Sequence, residues 1–223
     1  MTDVAAPSVR QLLADLHAYR LQTMAKADLQ VNIEQRQLLE NTADRNAFVQ
    51  AGDVVEPFSL PEVHGGTIKL GRLLADGPVV LLFFRYEGCN IALRHYQTEL
   101  YPALTRLGAT LVAVSPQVPR KLVAIKNRFG LGFPVASDTG NELARRFGIT
   151  FTASAASQAH ARSNGSDLGE ALGTGKWELP MPAVVVIDQS RVVRFADVQP
   201  DWLVRTEADA VIDAVRPLVP VPA

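Results

Sequence analysis

Cys89 is the only cysteine among 223 residues, and the one side chain here that can act as a thiolate nucleophile. It follows the apolar run Val79–Phe84 by five residues and directly precedes Asn90, where a helical pattern begins. Sites in open α/β sheets collect beyond the carboxyl ends of strands, and such a strand-to-helix junction lies there. Partial positive charge at a helix N-terminus favours thiolate over thiol, and Arg85 at the strand end adds a full charge. The pattern therefore predicts a thiol that ionises below the ~8.5 of free cysteine and attacks an electrophile. Lone cysteines are also found as inert core residues. The solvent-facing position of this turn favours the reactive reading. Gly88 shares the approach to the sulfur. A second feature is Met181-Pro182, directly before the apolar run Ala183–Ile187. Proline cannot donate to a strand ladder, so Pro182 must open that strand.

Other motifs fail on spacing. Gly173-Thr174-Gly175-Lys176 resembles a phosphate loop, but Glu170 stands where the first glycine belongs and Trp177 follows the lysine. His17, His64, His95 and His160 are scattered and show no metal-ligand spacing. Ser115, Ser137 and Ser166 lack the Gly-x-Ser-x-Gly elbow. Neither a metal nor a cofactor is expected. With 22 basic and 23 acidic residues the net charge is −1, which argues against nucleic acid and anionic lipid as partners. No apolar run is long enough to span a bilayer, and Met1–Arg10 shows no secretory pattern. A single cysteine forbids an intrachain disulfide, so the expected compartment is the cytoplasm.

The elements that must position Cys89 follow from periodicity. Val9, Leu12, Leu13, Leu16 and Tyr19 form a helical stripe behind Ser8, a candidate N-cap, and a second helix is expected from about Ile33 to Phe48. Packing on the domain behind it is the favoured role of that stripe. Phe58–Leu60 and Thr67–Lys69 read as a hairpin, and Leu70–Ala75 as a short helix. Val79–Phe84, a helix from Asn90 to Leu107 and the strand Thr110–Val114 make a βαβ unit. A helix over Val118–Phe129, a strand over Phe133–Ala136 and a helix over Asn141–Phe147 continue it. The residues from Thr152 to Glu178 are rich in Ala, Ser and Gly and read as a long loop. Ala183–Ile187 and Val192–Ala196 form a hairpin, followed by a helix over Thr206–Val215. The expected architecture is α/β: a thioredoxin-like mixed sheet with helices on both faces over 51–217, a helical extension over 1–50 and a Pro-rich tail over 218–223.

Several segments together carry a family resemblance. They are Gly52-Asp53 with Pro57-Phe58-Ser59-Leu60-Pro61, then Phe83-Phe84-Arg85, then Cys89-Asn90-Ile91-Ala92-Leu93. To these add Gly108–Gln117, Leu179–Ala183, Val192–Val198 and Pro200-Asp201. The sequence resembles the peroxiredoxin-like branch of the AhpC/TSA redoxins. That resemblance implies a thiol oxidoreductase reducing hydrogen peroxide or an organic hydroperoxide. Cys89 would attack the peroxide, Arg85 would stabilise the developing charge, and an external thiol, protein or small molecule, would regenerate the cysteine. It also implies that Pro182, with Met181 beside it, faces the sulfur through a cis peptide bond, with Pro180 as the competing candidate. Homodimers are common in this fold, and the amphipathic extension leaves that association open.

The family pattern often carries Cys-x-x-Cys just before Asn-x-x-Leu. Here Tyr86-Glu87-Gly88-Cys89-Asn90 is shorter. Counted from Arg85, Cys89 takes the place of the attacking cysteine; counted back from Asn90, that of the resolving one. Both alignments stay open. The alternative function is a catalytically weak redoxin-fold protein that binds a partner through the extension or the 152–178 segment. Exposure of Cys89 and its proximity to Arg85 and Pro182 discriminate the two.

Overall fold

The structure, a computed structural model, describes residues 7–219. The chain opens with α1 (Val9–Thr23) and α2 (Lys26–Thr42). Ser8 caps α1, its Oγ accepting from Gln11 N at 3.1 Å. Val9 and Leu13 of the stripe are buried, but Tyr19 stands 64% exposed. The second helix begins earlier than its apolar spacing predicts and stops at Thr42, where a separate 3₁₀ turn capped by Asp44 starts.

The hairpin β1 (Ser59–Pro61) and β2 (Thr67–Lys69) leads into α3 (Leu70–Asp76). The central strand β3 (Val79–Phe83) is followed by α4 (Asn90–His95), α5 (Tyr101–Arg106) and β4 (Thr110–Ser115). Residues 90–106 form one helical path interrupted by a π turn over Tyr96–Leu100. Pro102 has no N–H to close a regular turn, and the N–H of Tyr101 reaches the Tyr96 carbonyl instead. Next come α6 (Pro119–Phe129), β5 (Val135–Ser137) and α7 (Glu142–Arg146).

The 152–178 segment is not a plain loop. Strands β6 (Thr150–Thr152) and β7 (Glu178–Pro180) pair antiparallel and bracket α8 (Ala155–Ser163) and α9 (Leu168–Ala171). Ser154 and Asp167 cap these helices, a local signal that the weak apolar periodicity hid. The chain ends with β8 (Ala183–Ile187), β9 (Val193–Val198), α10 (Ala208–Val215) and one 3₁₀ turn. The Pro-rich tail expected over 218–223 lies, from 220 onward, outside the described residues, as do positions 1–6 of the extension.

The main sheet has the order β5-β4-β3-β8-β9. β4 is parallel to β3, with Val79 opposite Thr110, and β8 is antiparallel to it, with Val79 opposite Ile187. Side chains alternate across the sheet, so β3 splits between two cores. Val80, Leu82 and Phe84 join one with residues of α1, α4, α6 and α10, while Val79, Leu81 and Phe83 join the other with residues of α3 and α7. Helices thus cover both faces of a mixed sheet, the thioredoxin-like arrangement.

Polar ties fix the extension to this body. Glu207 accepts from Val9 N at 3.2 Å and Arg10 N at 3.1 Å. Arg36 of α2 pairs with Asp201 at 2.9 Å, and Asp201 N donates to Glu40 at 3.0 Å. Gln35 Oε1 accepts from Ser154 N at 2.7 Å, tying α2 to the 152–178 segment.

Candidate active site

After β3 the chain passes Phe84 and Arg85, turns at Tyr86, and makes one 3₁₀ turn over Glu87–Cys89 before entering α4. Cys89 N donates to the Tyr86 carbonyl at 2.9 Å, which closes the turn. Gly88 lets the Tyr86 ring lie across it: a Cβ there would stand 2.6 Å from that ring. An ion pair between Arg128 of α6 and Glu87 braces the outer side.

Cys89 is buried, at 4% exposure, and lines a cavity of about 180 Å³. The turn contributes Arg85, Tyr86 and Gly88 to its wall, and the segment after β9 contributes Trp202 and Arg205. The extension closes it with Leu13, Leu16 and Met24.

Charge dominates this pocket. Arg205 Nη2 lies 4.0 Å from the sulfur. Its guanidinium is fixed by the carbonyls of Trp202 and Val204, the latter at 2.8 Å. Arg85, itself 5% exposed, stacks on the Trp202 ring at 4.3 Å and on Tyr86 at 5.1 Å. Burial pushes the Cys89 thiol pKa up, but Arg85 and Arg205, with backbone hydrogen bonds from Arg85 and Tyr86, lower it to about 7. Burial lowers the pKa of Arg205, and the facing thiolate partly restores it. Behind these groups Tyr96 is fully buried and donates to the Thr206 carbonyl at 2.7 Å, holding the segment that presents Arg205. Burial raises the pKa of that phenol, so it stays protonated.

Cys89, Arg85 and Gly88, singled out from the sequence, come together in this pocket. Met181 and Pro182 do not line it. Met181 N donates to the Ile149 carbonyl at 2.7 Å, and its side chain packs with Phe83 in the core on the opposite face from the sulfur. Pro182 is buried, and its carbonyl accepts from Gln199 N at 2.9 Å. The cis peptide expected at Pro182 is trans, as is every peptide bond among the described residues. That is the ordinary preference for X–Pro bonds. Arg205 and Trp202 are the residues that sequence reasoning missed. Their segment has no periodic pattern, and Arg205 meets a partner 116 positions away. Among the described residues no cluster of three His, Cys, Asp or Glu could hold a metal ion, and no helix is long and apolar enough to cross a membrane.

Known proteins share this framework. Peroxiredoxin Bcp of Escherichia coli (strain K12) is 29% identical over 108 residues. That stretch covers 45% of this chain and 65% of Bcp, short of two thirds of its length. The crystal structure of Peroxidoxin BcpB from Mycobacterium tuberculosis superimposes with a TM-score of 0.59 at 25% identity, over 76% of this chain and 98% of that one. The crystal structure of Enterococcus faecalis AhpC, at 14% identity, matches in fold with a TM-score of 0.57 over 76% of this chain and 92% of its own. The model of the AhpC/TSA family matches residues 51–196, from the approach to β1 into β9, and the chain belongs to that family.

Proposed function

We propose that the protein is a thiol peroxidase that reduces hydrogen peroxide or an organic hydroperoxide through Cys89. The observation that carries this reading is a cysteine ionising at about 7 that lines a cavity beside two buried guanidinium groups. The thiolate attacks one peroxide oxygen, the O–O bond breaks, and a sulfenic acid forms on Cys89. The other oxygen leaves with the electron pair and takes up a proton, giving water or an alcohol. Arg205 and Arg85 stabilise negative charge first on sulfur and then on the departing oxygen. With one cysteine in the sequence, the sulfenic acid is reduced by an external thiol. The first such thiol forms a mixed disulfide and releases water; the second frees Cys89 and leaves as the oxidised disulfide. A reducing compartment suits this cycle.

The test is intact mass after stoichiometric hydrogen peroxide is added to the reduced protein, with Cys89→Ser in parallel. The expected outcome is rapid gain of one oxygen, reversed by a small thiol and absent in the variant. The rate should rise with pH through a midpoint near the value of about 7. One observation favours the alternative of a binding module: at 4% exposure, with the extension over it, the sulfur is less accessible than a reactive thiol at an open rim. No mass change over minutes would overturn the peroxidase reading and favour that alternative.

A further inference from the structure

Arg205 lies in residues 199–207, between β9 and α10, a stretch that belongs to no strand or helix. An arginine side chain has many rotamers, and no ladder of backbone hydrogen bonds fixes the chain beneath this one. The pull of a guanidinium on a thiolate falls with distance, so its 4.0 Å approach to the sulfur has to be held. The carbonyls of Trp202 and Val204 orient the guanidinium, but they belong to the same stretch and move with it. The position of Arg205 must come from a neighbour that reaches other elements.

Thr206 is that neighbour. It is buried and bonds on two sides. Its hydroxyl donates to Asp197 Oδ2 of β9 at 2.8 Å, and its carbonyl accepts from Tyr96 Oη at 2.7 Å. Asp197 is itself steadied, since its Oδ1 accepts from Gln199 Nε2 at 2.5 Å. Tyr96 is fully buried and stands seven positions after Cys89, along the helical path that the cysteine opens. Seven positions are about two turns, so Tyr96 and Cys89 lie on nearly the same side of that path. One bond thus refers Arg205 to the sheet, and the other refers it to the helix that carries the sulfur. Thr206, Asp197 and Tyr96 do not themselves line the cavity at the sulfur.

We propose that Thr206 is a positioning residue: held by Asp197 and Tyr96, it sets the separation of Arg205 from the sulfur of Cys89. The proposal rests on Cys89 as the attacking thiol, and Thr206 acts on that thiol through Arg205 alone. The charged and titratable groups around the sulfur are Arg85 on its own turn, Arg205 after β9, Arg20 on α1 and Tyr96. Glu87 and Arg128 pair on the outer side of the turn. Asp197 accepts from the hydroxyl of Thr206, and Glu207 follows it in the chain. Substitutions at Thr206 leave every one of these groups in place, so a change at the sulfur reports distance.

The experiment follows iodoacetamide alkylation of Cys89 across pH in the reduced full-length protein. Thr206→Val keeps the branched shape and removes the hydroxyl. It should lower the thiolate fraction at pH 7 by about threefold, seen as a raised midpoint. Thr206→Ser returns the hydroxyl and should restore the wild-type midpoint. In an Arg205→Met background Thr206→Val should move the midpoint no further, because the residue it positions is gone. A merely structural hydroxyl would lower the stability and leave the alkylation midpoint where it is. Tyr96→Phe removes the other bond and no charge. It should repeat both results, and it decides the matter if Thr206→Val does not fold. An unmoved midpoint in a folded variant, no rescue by Thr206→Ser, or an equal shift without Arg205 would each overturn the proposal. Alkylation needs no peroxide, so if this coupling holds and no oxygen is gained, only the peroxidase reading fails.

Discussion

Two spaces meet at Arg85, the pocket at the sulfur and a second cavity of about 240 Å³. They share Tyr86, Trp202 and Asn32 in their walls, yet they treat charge differently. On the sulfur side the polar groups find partners within the chain: Arg205 is held by two backbone carbonyls and faces the thiolate. On the other side Gln35, Arg85 and Trp177 each bury a side-chain N–H that has no partner among the described residues. A pocket whose charges are answered internally is poised before any ligand arrives, which is what electrostatic preorganisation requires. Buried donors without partners instead cost the fold stability.

Removing Arg205 should break this contrast most severely. Arg205→Met keeps the apolar stem and leaves Cys89 facing one guanidinium. Loss of a cation raises a thiol pKa, so the thiolate fraction at pH 7 should fall by about tenfold. Iodoacetamide alkylation rates across pH measure this. They should converge with the wild-type rate above the variant's higher midpoint, and an unmoved midpoint would assign the poise to Arg85 alone.

The same charges leave a thermodynamic signature. The folded pKa of Cys89, about 7, lies below the ~8.5 of an unfolded chain, so folding favours the ionised form. The stabilisation is full above the unfolded value and is lost as pH falls through 7. Relative to Cys89→Ser, the wild type should gain about 2 kcal/mol between pH 6 and pH 9. Urea unfolding at a series of pH values checks it, and a flat difference would remove the ionised thiol from the folded state.

The smallest effect is expected where the extension is tied down. Asp201→Ala removes the partly buried pair with Arg36, and should cost about 1 kcal/mol and lower the melting temperature by roughly 3 °C. Alkylation of Cys89 should change far less than in Arg205→Met. A comparable change would mean that α2 holds Arg205 in place.

What the sequence disclosed follows the same division. β3, β4 and β8 are continuous apolar runs buried on both faces, and such runs announce themselves without any partner being known. Cys89, Gly88 and Arg85 lie within five positions on the turn that follows β3, so local reasoning brought them together. The π turn at Tyr96–Leu100 left the apolar spacing of its helix nearly intact and stayed hidden. Helices α8 and α9 are short, bury only Gly169 between them and are set by caps more than by a stripe. Arg205 and Gln35 act through partners far away in sequence, and a residue's own neighbours carry no trace of such a contact. The family resemblance places Met181 and Pro182 at the sulfur, whereas they lie in the link between β7 and β8, and Met181 packs in the other core.

The carboxylate of Glu207 serves as the cap of a helix that begins 198 positions earlier. During synthesis α1 precedes that acceptor by 198 positions, and it precedes Val211 and Val215 of the same core by a similar stretch. Contacts of such long sequence separation pay their loop-closure entropy late and form slowly. The turn carrying Cys89 needs only β3 and the helix beside it. Assembly therefore has a direction: the turn that carries the sulfur is made before the contacts that close its cover.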